Sequence, residues 1–372
     1  MKNQAVKKVF PGGNTSQGFY SFYHHIIPLD ATRIFVMKGG PGVGKSTFMK
    51  TIAGSLLAQG YSVEFHCCSS DNDSLDGIVI PQIGIAMIDG TAPHVVDPKN
   101  PGAVDEIVHL GDHWNEAGVR THKEMIIKTN KEIGRLFRRA YGYLAQAKLL
   151  NDEIESYYLD GDALDIAGLN RQANILIKGI FNDNLRQKPP KSRHLFASAI
   201  TPEGLANHFD TLFDSVAKRY IITGEPGTGK STLVQKIYQA AMVYGFDTEV
   251  FHCALDPNRI EHMIIPQLQT AIITSNTSHP YSPKADDTVL NTEMFINRSA
   301  VKVYAEDLDK AQDLYGDSIK RAIGFIARAK KAHDDLESYY IPYMDFPSLN
   351  KRRDSILQRI MNYMGSEFEN KN

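Results

Sequence analysis

Cysteine is nearly missing from this chain: Cys67, Cys68 and Cys253 are the only three in 372 residues. Two of them are adjacent, so no disulfide framework can be drawn, and a reducing compartment is the expected setting. His66, Cys67 and Cys68 cluster, but no Cys-x-x-Cys exists to complete a zinc site, and the reading is a buried strand end. Charge of one sign is missing too. A formal net charge of −2 provides no global basic field for nucleic acid or an anionic membrane. No apolar run approaches the roughly 18 residues of a membrane span, and the N-terminus carries no secretory h-region. What remains, at 42% hydrophobic and 23% charged, is an ordinary chain of about two domains, expected in the cytoplasm with no membrane partner.

Against these absences stand two glycine-rich motifs. Gly39, Gly40, Pro41, Gly42, Val43, Gly44, Lys45, Ser46 and Thr47 follow the apolar run Ile34–Met37. Gly224, Glu225, Pro226, Gly227, Thr228, Gly229, Lys230, Ser231 and Thr232 follow Tyr220–Ile222. Both fit G-x-x-x-x-G-K-[ST] between a short strand and a helical stretch, the Walker A context. A chance match in a chain of this length has odds of roughly one in a hundred. The residue types follow from the chemistry. Glycines let successive N–H groups converge on an anion, and the helix that begins there adds its dipole and unpaired amides. Lys45 and Lys230 would reach the β- and γ-phosphates, while the Ser46 and Ser231 hydroxyls would hold Mg²⁺. The alternative is a glycine-rich strand–helix turn with an incidental lysine.

The loops lie 185 residues apart, and other residues recur at nearly that offset. Phe65-His66-Cys67 returns as Phe251-His252-Cys253, Pro81-Gln82 as Pro266-Gln267, and His94 as His279. Arg139 and Gly142 return as Arg321 and Gly324, and Glu155-Ser-Tyr-Tyr158 as Glu337-Ser-Tyr-Tyr340. A period this long marks duplicated domains rather than a solenoid. The expected fold is α/β: tandem duplicates over 1–188 and 189–372, each a mostly parallel sheet flanked by helices and carrying a long helical hairpin. The linker falls in the polar, basic, proline-broken stretch 184–193. Within one copy, Thr15 or Thr201 is expected to open a short helix. The first loop then leads into helix Lys45–Gln59, followed by strands Ser62–Cys67 and Ile83–Ile88. Helices are expected over about 115–158, 163–181, 299–340 and 347–363. Ile126, Ile133, Leu136 and Phe137, with Ile319, Ile323 and Ile326, mark their buried faces.

A phosphate loop needs an acid to position Mg²⁺ or the attacking water. Asp89 closes Ile85-Ala-Met-Ile-Asp89-Gly90 as a Walker B strand would, though a strand also ends at Asp-Gly for structural reasons. The matched position of the second copy is Thr274. Asp71 and Asp76 align with Asp256 and Glu261, and Asp71 could orient water or a substrate hydroxyl. Its alternative is to cap a short helix beginning near Ser74. Candidate catalytic residues are therefore Lys45, Asp89 and Asp71; candidate metal ligands are Ser46, Asp89 and Ser231. His94 and His279 could sense a terminal phosphate or fix a loop, and Arg139 and Arg321 could act as lid residues or stay on the surface.

The fuller pattern is Asn14-Thr-Ser-Gln-Gly18, the first loop, His66-Cys67, Asp73-Ser-Leu-Asp-Gly77 and Asp89-Gly-Thr-Ala-Pro-His94. It resembles a largely uncharacterised family of tandem P-loop ATP-binding proteins within the P-loop NTPase superfamily. The resemblance spans essentially the whole chain and implies ATP binding and hydrolysis. The second copy departs from it after strand three. The resulting expectation is an Mg²⁺-dependent ATPase with a catalytic first site and a binding or regulatory second site, and an unidentified protein or small-molecule partner. The alternatives are a small-molecule or nucleotide kinase and a nucleotide-gated interaction protein without turnover. An AAA-type unfoldase is disfavoured, since neither copy has four apolar residues followed by Asp-Glu.

Overall fold

The computed structural model describes residues 5–160, 162–182, 184–277 and 280–369. In chain order the elements begin with strands β1 (Val6–Val9), β2 (Gly12–Thr15), β3 (Gly18–Ser21) and β4 (Arg33–Lys38), followed by helix α1 (Lys45–Ala58). Strands β5 (Val63–Cys67), β6 (Leu75–Ile80), β7 (Ile85–Asp89) and β8 (Asp105–His109) come next. The helices α2 (Glu116–Arg120), α3 (Lys123–Asp160) and α4 (Ile166–Phe181) complete the first run. The second run has β9 (Ser192–Phe196), β10 (Ser198–Thr201), β11 (Gly204–Asn207), α5 (Phe209–Phe213), β12 (Lys218–Thr223) and α6 (Lys230–Tyr244). It continues with β13 (Thr248–His252), β14 (Ile260–Ile265), β15 (Thr270–Ser275) and β16 (Thr288–Asn291). It ends with α7 (Arg298–Val301), α8 (Ala305–Glu337) and α9 (Phe346–Glu369).

Packing divides the chain into two compact units that are not its two halves. One comprises residues 1–12, 21–138 and 325–372; the other comprises 13–20 and 139–324. The boundary 188/189 expected for the repeat is therefore not a packing boundary. Both long helices, α3 and α8, are divided between the units.

The sheet of the first unit runs β1-β5-β6-β7-β4-β8, and that of the second β9-β13-β14-β15-β12-β16. Both are mixed. In the first, β1 lies parallel to β5, and β7 and β8 lie parallel to β4, but β6 is antiparallel to β5 and β7. The strand β14 is antiparallel to both its neighbours in the second unit. The departure from a parallel sheet has a simple cause. Only Pro81–Ile83 and Gly84, at φ +61°, join β6 to β7, and parallel neighbours need a crossover of about a dozen residues or more.

Two local expectations are corrected. Residues from Ser74 onward form no helix; Leu75–Ile80 is a strand with all six residues buried. The Asp71 carboxylate caps a turn instead, accepting from the Asp73 N–H at 3.1 Å. Thr15 and Thr201 open no helix either. Each hydroxyl closes a hairpin turn by donating to the carbonyl of Gly18 (2.9 Å) or Gly204 (2.8 Å), glycines at φ +91° and +116°.

Each sheet is covered by helices that bury an apolar stripe. In the first unit Met49, Ile52 and Leu56 of α1 and Ile356 and Ile360 of α9 are fully buried, as are Phe35, Val36 and Met37 of β4. In the second unit Leu169, Leu176 and Phe181 of α4 pack with Leu233, Val234 and Ile237 of α6 over Ile222 and Met263. The middle of α9 is tied to β8 by ion pairing. Glu106 accepts from Arg359 Nη1 at 2.8 Å and from Arg33 Nη2 at 2.6 Å, and Arg352 lies 3.6 Å away. The Arg359 hydrogen bonds, reinforced by Arg33, hold the Glu106 carboxyl down at about 2. Since this lies below the unfolded value of about 4.3, the stabilisation is present above about pH 4.3 and is lost as the pH falls through about 2. Glu106→Gln should cost about 1–2 kcal/mol in urea unfolding at pH 7, a range that allows for partial solvent screening. The gap to wild type should close on acidification across that window; a gap independent of pH would contradict the ion-pair account.

Candidate functional site

The strand β4 ends at Lys38 and the chain turns through Gly39–Gly44 into α1. Gly42 and Gly44 sit at φ +69° and +85°, a region that L side chains avoid. The first turn of α1 has Gly44 as its N-cap and no side-chain cap, whereas Asn115 caps α2 and Asp165 caps α4 through their side chains. Among the described residues no N-cap side chain serves the first amides of α1, and an anion would suit them. Lys45 Nζ donates to the carbonyls of Gly39 (3.1 Å) and Gly40 (3.0 Å), and stands 3.6 Å from Asp89 Oδ2. Ser46 Oγ accepts from Leu75 N at 3.1 Å and retains a further lone pair. Val43 is fully buried and anchors the turn.

The second loop has the same form. Gly227 and Gly229 sit at φ +85° and +90°, Gly224 at φ +144°, and α6 begins at Lys230 with no side-chain cap. Lys230 Nζ donates to Glu225 O at 2.8 Å. The Thr228 hydroxyl is buried, donating to Glu225 O at 2.7 Å with Thr292 Oγ1 at 2.7 Å. Burial pushes the Lys230 ammonium below its usual range, and Glu225, Glu261, Glu155 and Glu293 oppose that shift. A cavity of about 230 Å³ adjoins the loop, lined among others by Gly229, Lys230, Ser231, Thr232 and Glu261. Among the described residues the buried Glu261 Oε2 has no hydrogen-bond donor, His262 Nε2 standing 3.7 Å away.

Asp89 closes a turn and also stands near the first loop. It ends β7, paired across from Met37 of β4, and so reaches Lys45. Its other oxygen accepts from the Thr91 amide at 2.9 Å and hydroxyl at 2.6 Å, which forms the turn. Thr274 is buried within β15. Asp71 is held by its own turn and by Lys330 Nζ at 3.4 Å. His94 stacks on Tyr23 with ring centroids 4.9 Å apart, its Nε2 3.8 Å from Asp76 Oδ1. Asp76 is buried, and that desolvation raises its pKa above the usual carboxylate range. His279 lies outside the described residues. Arg139 is exposed, and Arg321 is held on the surface of α8 by Asp317 at 2.8 Å and by the face of Tyr143. Burial pushes the Cys253 thiol up to about 12, so it is no nucleophile at neutral pH.

Sequence reasoning missed the residues that cover the loops. The end of α8 lies on the first loop: Gly42 N donates to Glu337 Oε1 at 3.2 Å, and a Cβ on Gly40 would lie 3.2 Å from the Tyr340 ring. The end of α3 lies on the second, where a Cβ on Gly227 would lie 2.5 Å from the Tyr158 ring. The signal was present in the repeated Glu-Ser-Tyr-Tyr, which marked the repeat without indicating contact with the loops.

Comparison with protein-family models, curated proteins and solved structures finds no match to this chain. Among the described residues, no helix is long and apolar enough to cross a membrane.

Gly42 and Gly60 share positive φ values, +69° and +83°, but differ in surroundings. A Cβ on Gly42 would lie 2.9 Å from Ile341 Cγ1 and 3.1 Å from Glu337 O, whereas Gly60 faces open space. Gly60→Ala should therefore cost about 1–2 kcal/mol from the backbone alone, and Gly42→Ala should cost measurably more in urea unfolding. Equal costs would show that the cover over the first loop is loose.

Proposed function

We propose that this chain is a tandem P-loop nucleoside triphosphate-binding protein, and that it hydrolyses ATP at its first loop and binds or senses nucleotide at its second. What supports this most is the pairing, twice in one chain, of an uncapped helix start with positive-φ glycines and a lysine folded over the loop carbonyls. A polyphosphate satisfies all three features at once. The shared strand order of the two sheets agrees with a duplicated domain.

The division of labour rests on Asp89. It stands beside Lys45, while Thr274 occupies the matched place in the second copy. A hydroxyl and a carboxylate form a donor set suited to Mg²⁺, which Ser46 and Asp89 would hold in the first site and Ser231 would help hold in the second. Bound there, the ion would neutralise phosphate charge. Lys45 would release the loop carbonyls to meet the β- and γ-phosphates, and the glycine amides would orient the chain of phosphates. Water is the favoured acceptor over a metabolite, because the Asp71 carboxylate, the candidate base for a kinase, is engaged by Lys330.

Lys45→Ala should abolish phosphate release, with a loss of at least about 100-fold. Lys230→Ala should chiefly weaken binding of a fluorescent ATP analogue or its regulatory effect, and the double variant should bind none. Equal loss of turnover from both single variants would contradict the asymmetry. Full nucleotide binding by the double variant would contradict the reading of the loops.

A further inference from the structure

The tetrapeptide Glu-Ser-Tyr-Tyr occurs at 155–158 and at 337–340, each time near the end of a long helix and against a glycine–lysine loop in the same compact unit. In the first unit the Glu337 carboxylate takes the Gly42 amide at 3.2 Å. That amide is one of those a phosphate chain would claim. In the second unit Glu155 lines the cavity beside Gly227, Gly229 and Lys230.

The two glutamates differ in their company. Glu155 accepts from the Arg259 guanidinium and from Asn151 Nδ2 at 2.8 Å. Arg259 is fixed in turn by Asp152 at 3.3 Å and Asp256 at 3.2 Å. In the first unit the aligned residues are Ser74 for Arg259 and His333 for Asn151. Among the described residues Glu337 is paired with no guanidinium; His333 Nδ1 stands 3.7 Å away. The neighbouring ion pairs are otherwise the same, with Lys330 bridging Asp71 and Asp334 as Lys148 bridges Asp256 and Asp152. A carboxylate locked to a guanidinium has its oxygens engaged and is less free to turn toward a water than one held by a backbone amide.

We propose that Glu337 is the general base of the first site and that Arg259 disables its counterpart, Glu155, in the second. This rests on the reading of both loops as nucleoside triphosphate sites. Phosphate entering the first loop displaces the carboxylate from the Gly42 amide and leaves it beside the terminal phosphoryl group. Water held by Glu337 attacks the γ-phosphorus as the bond from that phosphorus to the β,γ-bridging oxygen breaks. The bond's electrons leave with the diphosphate, and the water proton passes to Glu337 and then to the released phosphate or solvent. A positioned base contributes about 100- to 10,000-fold to such a step.

The test uses the full-length protein and two readouts, the Kd for a fluorescent ATP analogue and the rate of phosphate release with ATP and Mg²⁺. Glu337→Gln should keep the Kd within a few-fold and lower release by about 100-fold or more, and the acid limb of its pH profile should flatten. Ser74→Arg, which brings the clamp into the first site, should lower release in the same way with binding retained. Arg259→Ser in a Lys45→Ala background should restore measurable release from the second site. Wild-type or faster release from Glu337→Gln overturns the proposal, the faster rate marking Glu337 as a plug. A wild-type protein that binds nucleotide without releasing phosphate also overturns it, and one that binds no nucleotide removes the underlying reading as well.

Discussion

Everything at the two loops depends on the backbone taking a conformation that side chains forbid. Glycine, lacking Cβ, takes the positive φ that lets successive amide groups turn inward ahead of a helix. The surrounding structure makes use of that freedom. Neighbouring side chains press against Gly42 and Gly227, at φ +69° and +85°, so closely that a Cβ would lie 2.9 Å from Ile341 Cγ1 or 2.5 Å from the Tyr158 ring. Glycine at these positions therefore serves two needs together, the left-handed turn and the close approach of a covering helix. Neither need alone would exclude alanine as firmly.

The covering helices are held by forces of different kinds. The lysine bridges from Lys148 and Lys330 are partly exposed, and each contributes no more than about 1 kcal/mol. Burial of apolar side chains on α3 and α8 contributes more, since residues such as Leu144, Ile154, Ile326 and Leu336 each bring about 1.5–3 kcal/mol. Apolar packing thus contributes more than the ion pairs, which orient carboxylates beside the loops. In this light the second site is not short of acids. Glu155, Asp256 and Glu261 all border its cavity, and what distinguishes it is the arginine among them.

Much of this was legible in the sequence, and the omissions have physical reasons. The loops, the strands before them and the helices after them follow from short-range chemistry, and β4, α1, α3 and α9 lie close to where periodicity put them. The strand β6 was hidden because Asp71, Asp73 and Ser74 are also helix-capping residues, and Leu75-Asp-Gly-Ile-Val-Ile shows no strict alternation. Gly77 is needed there because a Cβ would lie 2.9 Å from the Met87 carbonyl, a contact made only once the sheet has formed. The cover over each loop was illegible for a different reason. Gly42 and Glu337 are 295 residues apart, and local pattern does not encode such a partner.

The interleaving of the chain also bears on its synthesis. The first unit contains most of the early sequence but also needs the stretch from Phe325 onward, including Arg359, which fixes Glu106. Its sheet emerges from the ribosome long before the residues that close it. The second unit, made largely of 139–324, has all its parts available earlier. The order of completion is therefore the reverse of the order of appearance, and the first glycine loop stays without its cover until the second unit has been made.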